Sequence, residues 1–503
     1  MRDDTVYSQS HFFRTRDVTM NVDRKTRTRA NTKIVATVGP ASREEAQLSA
    51  LIDAGVDVFR LNMAHGEIAQ HEEVLNRIRK LSAEKRHPIA VLVDLAGPKI
   101  RLGQLVGGEV QCELGAEFEF VREEHSEDPR KLGSTYEKLV DELQIGDRVM
   151  LADGTVSMQV ESKTKNSAKC RCVQAGPIRS RQGINLPGVK VSLPAMSEED
   201  KEHAVWAAKV GVDYVSLSFV RSPKEVLELK WLLDFHHSPA RVVAKIEKQE
   251  ALDHLEAIVN ATDAIMVARG DLGVEIDVAR MPVVQKQIIA MCHRYQKPVI
   301  VATQMLDSMQ HSPRPTRAEV TDIANAILDG ADACMLSGET AVGEYPIAAV
   351  EMMDRVAVAT EPLFESRPPF QTPDRLPEGL LPITHGVVVG AGQIARQLDA
   401  KIMVVVSHSG MTALAVSKHR SLVPTIGVSD KESTLRQMCL YWGVIPLAEA
   451  PTTDSIELIQ HVQKWGLGNG TLAVGDNLVL VAGIGLASKG HNMVRVHVVG
   501  QAV

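Results

Sequence analysis

The sequence has no stretch of about 18 uninterrupted apolar residues, the length that a membrane-spanning helix requires. Residues 1–29 are polar and charged and lack the apolar middle of a secretory signal. The chain also lacks a basic excess, because its formal net charge is −7. We therefore expect a loose N-terminal arm on a cytoplasmic protein that has neither a membrane nor a nucleic acid as its partner.

Cysteine is scarce and scattered, with six residues in a chain of 503. The pair Cys170 and Cys172 has no second pair at the spacing of a metal site. This pattern predicts reduced, structural thiols rather than disulfides or a zinc centre.

The chain does contain short apolar strands that end abruptly in charged residues. The run at residues 242–247 ends in Lys245 and Glu247, and the run at residues 264–271 ends in Asp271. Because side chains alternate along a strand, Lys245 and Glu247 point to the same side. A lysine beside two carboxylates suits a hard cation next to an anionic substrate, and a plain salt bridge at the strand ends is the alternative.

Eight such strands recur, each followed by a helix or a long insertion. They are predicted at residues 33–38, 58–61, 89–93, 214–218, 241–246, 264–268, 298–302 and 333–336. The series predicts an α/β fold, a (β/α)8 TIM barrel with its active site at the carboxyl ends of the strands. The helix starts show predicted capping boxes, which are Ser42 with Glu45, Ser197 with Asp200, and Thr316 with Glu319.

The predicted barrel occupies residues 30–97 and 192–360. Residues 98–191 read as short alternating strands, which predict a small inserted β-barrel domain. We expect it to act as a lid that excludes water from the site. Residues 361–382 are proline-rich and predicted to be a linker, and residues 383–503 form a second α/β domain.

Eight motifs occur in the order found in one enzyme family, and together they resemble pyruvate kinase. They are Thr37-Val38-Gly39-Pro40, Arg60-Leu61-Asn62, His65-Gly66, Lys245-Ile246-Glu247, Ala268-Arg269-Gly270-Asp271, Ala302-Thr303-Gln304-Met305, Pro313-Arg314-Pro315-Thr316-Arg317 and Ser337-Gly338-Glu339-Thr340. The resemblance covers the barrel, the insertion and the C-terminal domain. It implies phosphoryl transfer from phosphoenolpyruvate to ADP, which gives pyruvate and ATP.

The resemblance also implies a role for each site residue. Glu247 and Asp271 would hold the divalent metal, expected to be Mg²⁺ with Mn²⁺ as the alternative, and Lys245 would lie against the transferring phosphoryl group. Arg60 and Arg101 would clamp phosphate oxygens, and Gly270 and Asp271 would bind the substrate carboxylate. The nucleotide would be bordered by Pro40, Asn62, His65 and Arg101. The enolate would be protonated through Thr303, Ser337 and Glu339. Helix capping by Ser337 and Glu339, and a turn at His65, are the alternatives.

The sequence departs from the family at its potassium site. The usual Asn, Ser, Asp and Thr ligands align with Asn62, Ala64, Asp94 and Leu95, so two ligating side chains are missing. Lys99 stands where potassium-dependent members have Glu. This pattern resembles the potassium-independent branch, and we expect the Lys99 ammonium to supply a charge near Asp94 without K⁺.

The C-terminal domain resembles the family's effector domain, with Ser407, Ser409 and Thr412 as the expected phosphate ligands. A helix cap at this turn is the alternative. Residues 483–490 lack the Trp and Arg of members that respond to fructose bisphosphate. A sugar phosphate or a nucleotide is therefore the expected effector class, the absence of an effector is the alternative, and the family predicts a homotetramer.

Two other function classes compete with this interpretation. A metal-dependent lyase or aldolase acting on pyruvate would also use Glu and Asp beside an enolate, but it would need neither Lys99 nor the lid. A metabolite sensor on an inactive kinase scaffold is disfavoured because Lys245, Glu247, Asp271 and Thr303 are all present.

Overall fold

A computed structural model describes residues 29–366, 376, 380–483 and 491–502. The predicted N-terminal arm, most of the predicted linker and most of the loop at residues 483–490 lie outside the described residues. No described helix has both the length and the apolar character that a membrane crossing demands.

The chain begins with alternating strands and helices. These are β1 (Lys33–Thr37), α1 (Glu45–Ala54), β2 (Val58–Asn62), α2 (Ile68–Glu84) and β3 (Ala90–Asp94). The capping box predicted at Ser42 is wrong, because α1 starts three residues later, and its N-cap, Glu44, makes no side-chain capping bond. The Ser42 hydroxyl instead accepts a hydrogen bond from the Gly39 amide at 3.2 Å, which closes the turn after β1.

The inserted segment that follows is built almost entirely of short strands. These are β4 (Glu109–Cys112), β5 (Glu117–Val121), β6 (Lys131–Leu132), β7 (Arg148–Leu151), β8 (Val156–Lys163), β9 (Ser167–Gln174), β10 (Gly176–Arg179) and β11 (Ile184–Asn185), with α3 (Leu139–Glu142) between β6 and β7. They form a six-stranded sheet in the order β11-β7-β8-β9-β5-β6 and a two-stranded sheet of β10 and β4. Cys170 and Cys172 are buried in the core of this segment, and all six cysteines of the chain are free, as predicted.

The β/α rhythm then resumes and completes the barrel. The elements are α4 (Glu198–Val210), β12 (Tyr214–Leu217), α5 (Pro223–Phe235), β13 (Arg241–Ile246), α6 (Gln249–Asp253), α7 (Leu255–Ala261), β14 (Ala264–Ala268), α8 (Arg269–Glu275), α9 (Met281–Arg294), β15 (Val299–Ala302), α10 (Arg317–Asp329), β16 (Ala333–Leu336), α11 (Gly338–Ala341) and α12 (Pro346–Thr360). The capping boxes predicted for α4 and α10 are confirmed.

Eight parallel strands close the predicted barrel in the order β1-β16-β15-β14-β13-β12-β3-β2. Side chains alternate between the helical layer outside and the barrel interior. In β13, for example, Val242 and Ala244 pack with the helices and Val243 faces the interior cluster. By the same alternation Lys245 faces inward at the carboxyl end of β13, which is where a TIM barrel carries its chemistry.

The C-terminal domain is a separate α/β layer structure. Its elements are α13 (Pro382–Gln397), β17 (Ile402–Val406), α14 (Met411–Lys418), β18 (Thr425–Val428), α15 (Glu432–Met438), β19 (Val444–Pro446), α16 (Ser455–Asn469), β20 (Asn477–Ala482) and β21 (Met493–Val498). The five strands form one sheet in the order β19-β18-β17-β20-β21, in which only β21 is antiparallel.

The C-terminal domain contacts the barrel at the amino ends of the barrel strands. Asp332, just before β16, pairs with Lys418 of α14 at 2.6 Å, and both side chains are fully buried. Arg241, the first residue of β13, donates to the Ser409 carbonyl at 2.6 Å and also bonds the Tyr441 hydroxyl. The inserted segment, which follows β3, therefore lies at the opposite end of the barrel, at the carboxyl ends of the strands.

Candidate active site

Lys245 lies at the centre of a polar cluster at the carboxyl ends of the barrel strands. Its ammonium is 3.0 Å from Glu247 Oε1, 3.3 Å from Asp94 Oδ1 and 2.7 Å from Ser218 Oγ. The residue is only 9% exposed, so these three partners replace most of its hydration. Three acceptors around three ammonium hydrogens fix the position of the charge.

Asp94 connects this lysine to Arg60. The guanidinium of Arg60 contacts Asp94 Oδ2 through Nη2 at 2.5 Å and through Nε at 2.7 Å, and it also donates to the Thr37 hydroxyl at 3.1 Å. The Ser216 hydroxyl donates to Asp94 Oδ1 at 2.5 Å. Two cations are thus held side by side on one buried carboxylate.

The charges in the cluster follow from its burial. Burial alone would raise the pKa of Asp94, but Lys245 and Arg60 outweigh it, so the pKa of Asp94 lies below its ordinary value. Burial would lower the pKa of Lys245, but Asp94 and Glu247 outweigh it, and the pKa of Lys245 is raised. The lysine is therefore a permanent cation in this site.

Glu247 and Asp271 are the two acids expected to hold the metal. Burial raises the pKa of Glu247, Lys245 opposes this rise, and the nearby carboxylate of Asp271 adds to it. Glu247 Oε2 also accepts a hydrogen bond from the Phe219 amide at 2.7 Å, which orients the carboxylate. The repulsion between the two acids is what a bound cation would relieve.

The donor set fits Mg²⁺, which is commonly bound through one or two carboxylates together with water and substrate phosphate oxygens. Over the described residues, no group of three or more His, Cys, Asp or Glu side chains could hold a metal ion. Glu247 and Asp271 would thus supply part of the coordination shell, and the remaining oxygens would come from substrate and water.

Thr303 follows β15 and faces the start of α8. Its hydroxyl accepts a hydrogen bond from the Gly270 amide at 2.9 Å and donates to the Ala302 carbonyl at 2.6 Å. Thr303 therefore lies beside the two residues, Gly270 and Asp271, that were expected to bind the substrate carboxylate.

Ser337 and Glu339 make no described hydrogen bond with Thr303. The buried carboxylate of Glu339 accepts from the Leu306 amide at 3.0 Å and from the Ser337 amide at 2.7 Å. Burial raises the pKa of Glu339, and the two backbone donors only partly offset this. These contacts favour the capping alternative for Glu339.

The residues expected to border the nucleotide lie at the carboxyl end of β2 and in loops at the same end of the barrel. Pro40 and His65 are exposed, and the Asn62 side chain accepts from the Ala64 amide at 3.2 Å. Arg101 is in the first connection to the inserted segment, where its guanidinium donates to the Arg181 carbonyl at 3.2 Å.

Lys99 has a different partner from the one expected. Its ammonium lies 4.0 Å from Asp271 Oδ1. No hydrogen bond or ion pair between Lys99 and Asp94 occurs in the described part of the chain, where Asp94 is paired with Arg60 and Lys245. Gly183 lies against the lysine, since a β-carbon there would approach Lys99 Cε to 2.7 Å. The Lys99 charge therefore lies beside Asp271 and not beside Asp94.

The expected effector residues lie together at the start of α14. Ser407 is buried, and its hydroxyl accepts from the Thr412 amide at 3.3 Å. The Thr412 hydroxyl shares a hydrogen bond of 3.0 Å with His491 Nδ1, whereas Ser409 is exposed. Two of the three hydroxyls are therefore already hydrogen-bonded within the domain.

Sequence reasoning missed three residues that shape the site, namely Ser216, Ser218 and Phe219. The two serines are fully buried on the inner side of β12 and just after it. Their alternation with apolar residues in the Ser216-Leu217-Ser218 run was the available signal, because a buried hydroxyl needs a polar partner inside the barrel.

Comparisons with known proteins agree on one family. The model described as pyruvate kinase, barrel domain, matches residues 29–350, and the model described as pyruvate kinase, alpha/beta domain, matches residues 385–497. Pyruvate kinases of Staphylococcus aureus strain MRSA252 and Staphylococcus haemolyticus strain JCSC1435 are each 39% identical to this chain, over 94% of it and 81% of their own length. The crystal structure of a pyruvate kinase from Cryptosporidium parvum superimposes with a TM-score of 0.85 at 31% identity, over 93% of this chain and 96% of that one.

Proposed function

The chain belongs to the pyruvate kinase family, whose reaction moves the phosphoryl group of phosphoenolpyruvate to ADP, and from this premise we propose how its own residues do so. The observation that carries the proposal is the ammonium of Lys245, held between Asp94, Glu247 and Ser218 beside Arg60. Phosphoryl transfer needs positioning and charge neutralisation more than covalent chemistry, and this cluster supplies both.

In the transfer, an oxygen of the ADP terminal phosphate forms a bond to phosphorus while the bond from phosphorus to the enol oxygen breaks. The electron pair of the broken bond remains on the enol oxygen and gives the enolate of pyruvate. Lys245 and Arg60 face the phosphate and the developing negative charge, and the Asp271 backbone N–H is presented to the substrate carboxylate. The Gly270 N–H was expected to do the same, but it donates to the Thr303 hydroxyl.

Members of this family generally use a divalent cation, and the oxygen donors here fit Mg²⁺, with Mn²⁺ as the alternative. Glu247 and Asp271 would hold the cation, whose chemistry when bound is to neutralise the crowded anionic oxygens. The Phe219 amide and Lys245 keep Glu247 in its orientation whether or not the cation is present.

The enolate becomes pyruvate when its methylene carbon takes up a proton. The Thr303 hydroxyl, which lies at the start of α8 beside Gly270, is the proposed donor through water. Its hydrogen, which points to the Ala302 carbonyl, passes to a water molecule as that water protonates the carbon, and solvent water restores the hydroxyl. Ser337 and Glu339 act in this step only by shaping the neighbouring backbone, since the Glu339 carboxylate accepts from the Leu306 and Ser337 amides.

We further propose that activity does not require potassium. Ala64 and Leu95 lack ligating side chains, and the Lys99 ammonium supplies a positive charge at the edge of the site, near Asp271. The remaining proposals follow the family pattern. The inserted segment would act as a lid, and the nucleotide would be bordered by Pro40, Asn62, His65 and Arg101. The protein would form a homotetramer, and a phosphate-bearing effector would bind at Ser407, Ser409 and Thr412.

The deciding experiment is a coupled assay of ATP formation from phosphoenolpyruvate and ADP in tetramethylammonium buffer with Mg²⁺. We expect activity that is lost in Lys245→Met and in EDTA and is little changed by added KCl. Absence of ATP formation would refute the phosphoryl-transfer proposal, whereas strong stimulation by KCl would refute only the potassium-independence.

A further inference from the structure

Two adjacent residues beside the substrate site have a left-handed backbone although neither is glycine. Thr303 has φ of 69° and Gln304 has φ of 55°. This conformation is unfavourable for residues with a β-carbon, and most of all for a β-branched residue such as threonine. Such a conformation persists only where the surroundings hold it in place.

The side chain of Arg269 holds the left-handed backbone of Thr303 and Gln304 in place. Arg269 Nη2 donates to the Thr303 carbonyl at 2.7 Å and to the Gln304 carbonyl at 3.3 Å. The other terminal nitrogen, Nη1, pairs with Asp322 Oδ2 of α10 at 2.6 Å. Arg269 is almost buried, with 11% of its side chain exposed, so it has little water to replace these partners.

The next residue completes the arrangement. The Gly270 amide donates to the Thr303 hydroxyl at 2.9 Å, so residues 269 and 270 hold both the carbonyl and the side chain of Thr303. Both residues belong to the first turn of α8, which also carries Asp271. The proton-donating hydroxyl and the metal-binding acid are thereby tied to one short segment.

We propose that Asp322 is a positioning residue for the proton-transfer step. Acting through Arg269, it keeps residues 303 and 304 left-handed and so keeps the Thr303 hydroxyl at the substrate. Asp322 itself touches neither Thr303 nor, by its position on α10, the reacting atoms. The inference deepens the proposed function, because it rests on the role given there to Thr303.

The first test separates the two chemical steps. In Asp322→Ala we expect kcat for ATP formation to fall roughly ten- to a hundredfold, as for a displaced catalytic group, with a KM for phosphoenolpyruvate within about twofold of wild type. Exchange of pyruvate methyl protons for deuterium, followed by NMR with Mg²⁺ and inorganic phosphate, should fall by at least as much, because this exchange needs only the proton transfer. Asp322→Asn, which can still accept a hydrogen bond, should lose less.

A second variant tests the backbone argument directly. Gln304 is exposed, and glycine tolerates its conformation, so Gln304→Gly alone should keep near wild-type activity. In the Asp322→Ala background the same change should recover part of both lost rates, because the left-handed backbone no longer needs to be held. Glu45→Ala, which removes a similarly exposed carboxylate from its pair with Lys80 at 2.7 Å, serves as the control and should change neither rate.

The outcomes distinguish the inference from its premise. Thr303→Ala should abolish the proton exchange, and if it does not, the role of Thr303 fails and the inference fails with it. If Thr303→Ala abolishes exchange but Asp322→Ala retains it, only the inference is refuted. If Asp322→Ala lowers kcat and the exchange rate but Gln304→Gly does not restore part of either, the inference is also overturned. The lowered rates would then not arise from the backbone conformation.

Discussion

The hydroxyl oxygen of Ser218 lies 2.7 Å from the ammonium of Lys245 and donates its own hydrogen to the Leu95 carbonyl, also at 2.7 Å. The direction of both hydrogen bonds is thereby fixed, and the serine can only accept from the lysine. Together with Asp94 and Glu247, a buried hydroxyl thus sets the position of the central cation.

Ser218→Ala is therefore expected to lower kcat. Loss of a hydrogen bond to a charged group costs about 1.5–3 kcal/mol, which corresponds to roughly ten- to a hundredfold in rate if it is felt in the transition state. Steady-state kinetics check this, with Ser82→Ala as control, because the Ser82 hydroxyl makes a comparable bond to the His87 carbonyl on the outside of the barrel. Unchanged kcat in Ser218→Ala would contradict the positioning role.

Asp271→Asn should stabilise the metal-free protein while it removes activity. Burial and the Asp271 carboxylate both raise the pKa of Glu247. A raised pKa in the folded state gives stability that is full below the unfolded pKa of glutamate and is lost as the pH rises through the folded pKa. Without the Asp271 charge this loss is smaller, so we expect a gain of about 0.5–2 kcal/mol at neutral pH and almost none at acidic pH.

Urea unfolding in EDTA at the two pH values measures this gain. Asp234→Asn, at an exposed position on α5, is the control and should change stability at neither pH. An Asp271→Asn variant that is equally stabilised at both pH values would show that repulsion from Glu247 is not the cause.

Gly183→Ala should displace Lys99. The added methyl group would lie 2.7 Å from Lys99 Cε and would push the ammonium away from Asp271. Since a partly exposed ion pair is worth up to about 1 kcal/mol, kcat/KM for phosphoenolpyruvate should fall by about two- to fivefold, in the same direction as in Lys99→Met. Gly390→Ala, which has open space around it, should have no effect, and an unchanged kcat/KM in Gly183→Ala would contradict the assigned role of Lys99.

Arg221→Met should loosen the second connection to the inserted segment. Arg221 donates to the Val191 and Leu193 carbonyls, each at 2.7 Å, and so holds this connection to the barrel. We expect faster proteolysis near residues 187–194 in the variant, and slower proteolysis in the wild type when phosphoenolpyruvate, Mg²⁺ and ADP are bound. Arg77→Met, on the outer surface, should cleave like wild type, and ligand-independent cleavage would count against a lid.

Asp332→Asn should weaken the contact between the barrel and the C-terminal domain. Its partner Lys418 is fully buried, and leaving a buried charge without its partner costs about 3–5 kcal/mol. Guanidinium unfolding measures this loss, and kcat of the folded protein should be unchanged because Asp332 precedes β16 at the end opposite to the site. Arg420 also loses its partner, because it lies 3.1 Å from the same carboxylate, so a loss below about 1 kcal/mol would contradict the role given to the Asp332 charge.

Local sequence patterns predicted the barrel well because its strands are buried on both faces. The predicted bounds of β13 and β14 match the structure, and charges directly after apolar runs drew attention to Lys245 and Glu247. The start of α1 was wrong because Ser42 is used by a turn at Gly39 rather than by the helix. A pattern of residue types does not reveal such a competition between two nearby backbone donors.

Contacts between distant segments set the parts of the site that the sequence did not reveal. Lys99 follows Gly97, whose φ of 71° turns the chain, and its neighbour Gly183 lies at the far end of the insertion. The partner of Lys99 therefore depends on how two remote connections meet, and this gave Asp271 where Asp94 was expected. The serines of β12 were overlooked for the same reason, since their partners come from β3 and β13.

Strand β13 carries Lys245 near one end and Arg241 at the other, where Arg241 bonds the carbonyl of Ser409. The strand is hydrogen-bonded to a neighbour on each side, so its length of about 20 Å cannot change appreciably. A ligand that displaces Ser409 must therefore either break the Arg241 contact or shift the whole strand. In the second case the Lys245 ammonium would move with the strand, and a ligand bound at this loop would change the turnover rate.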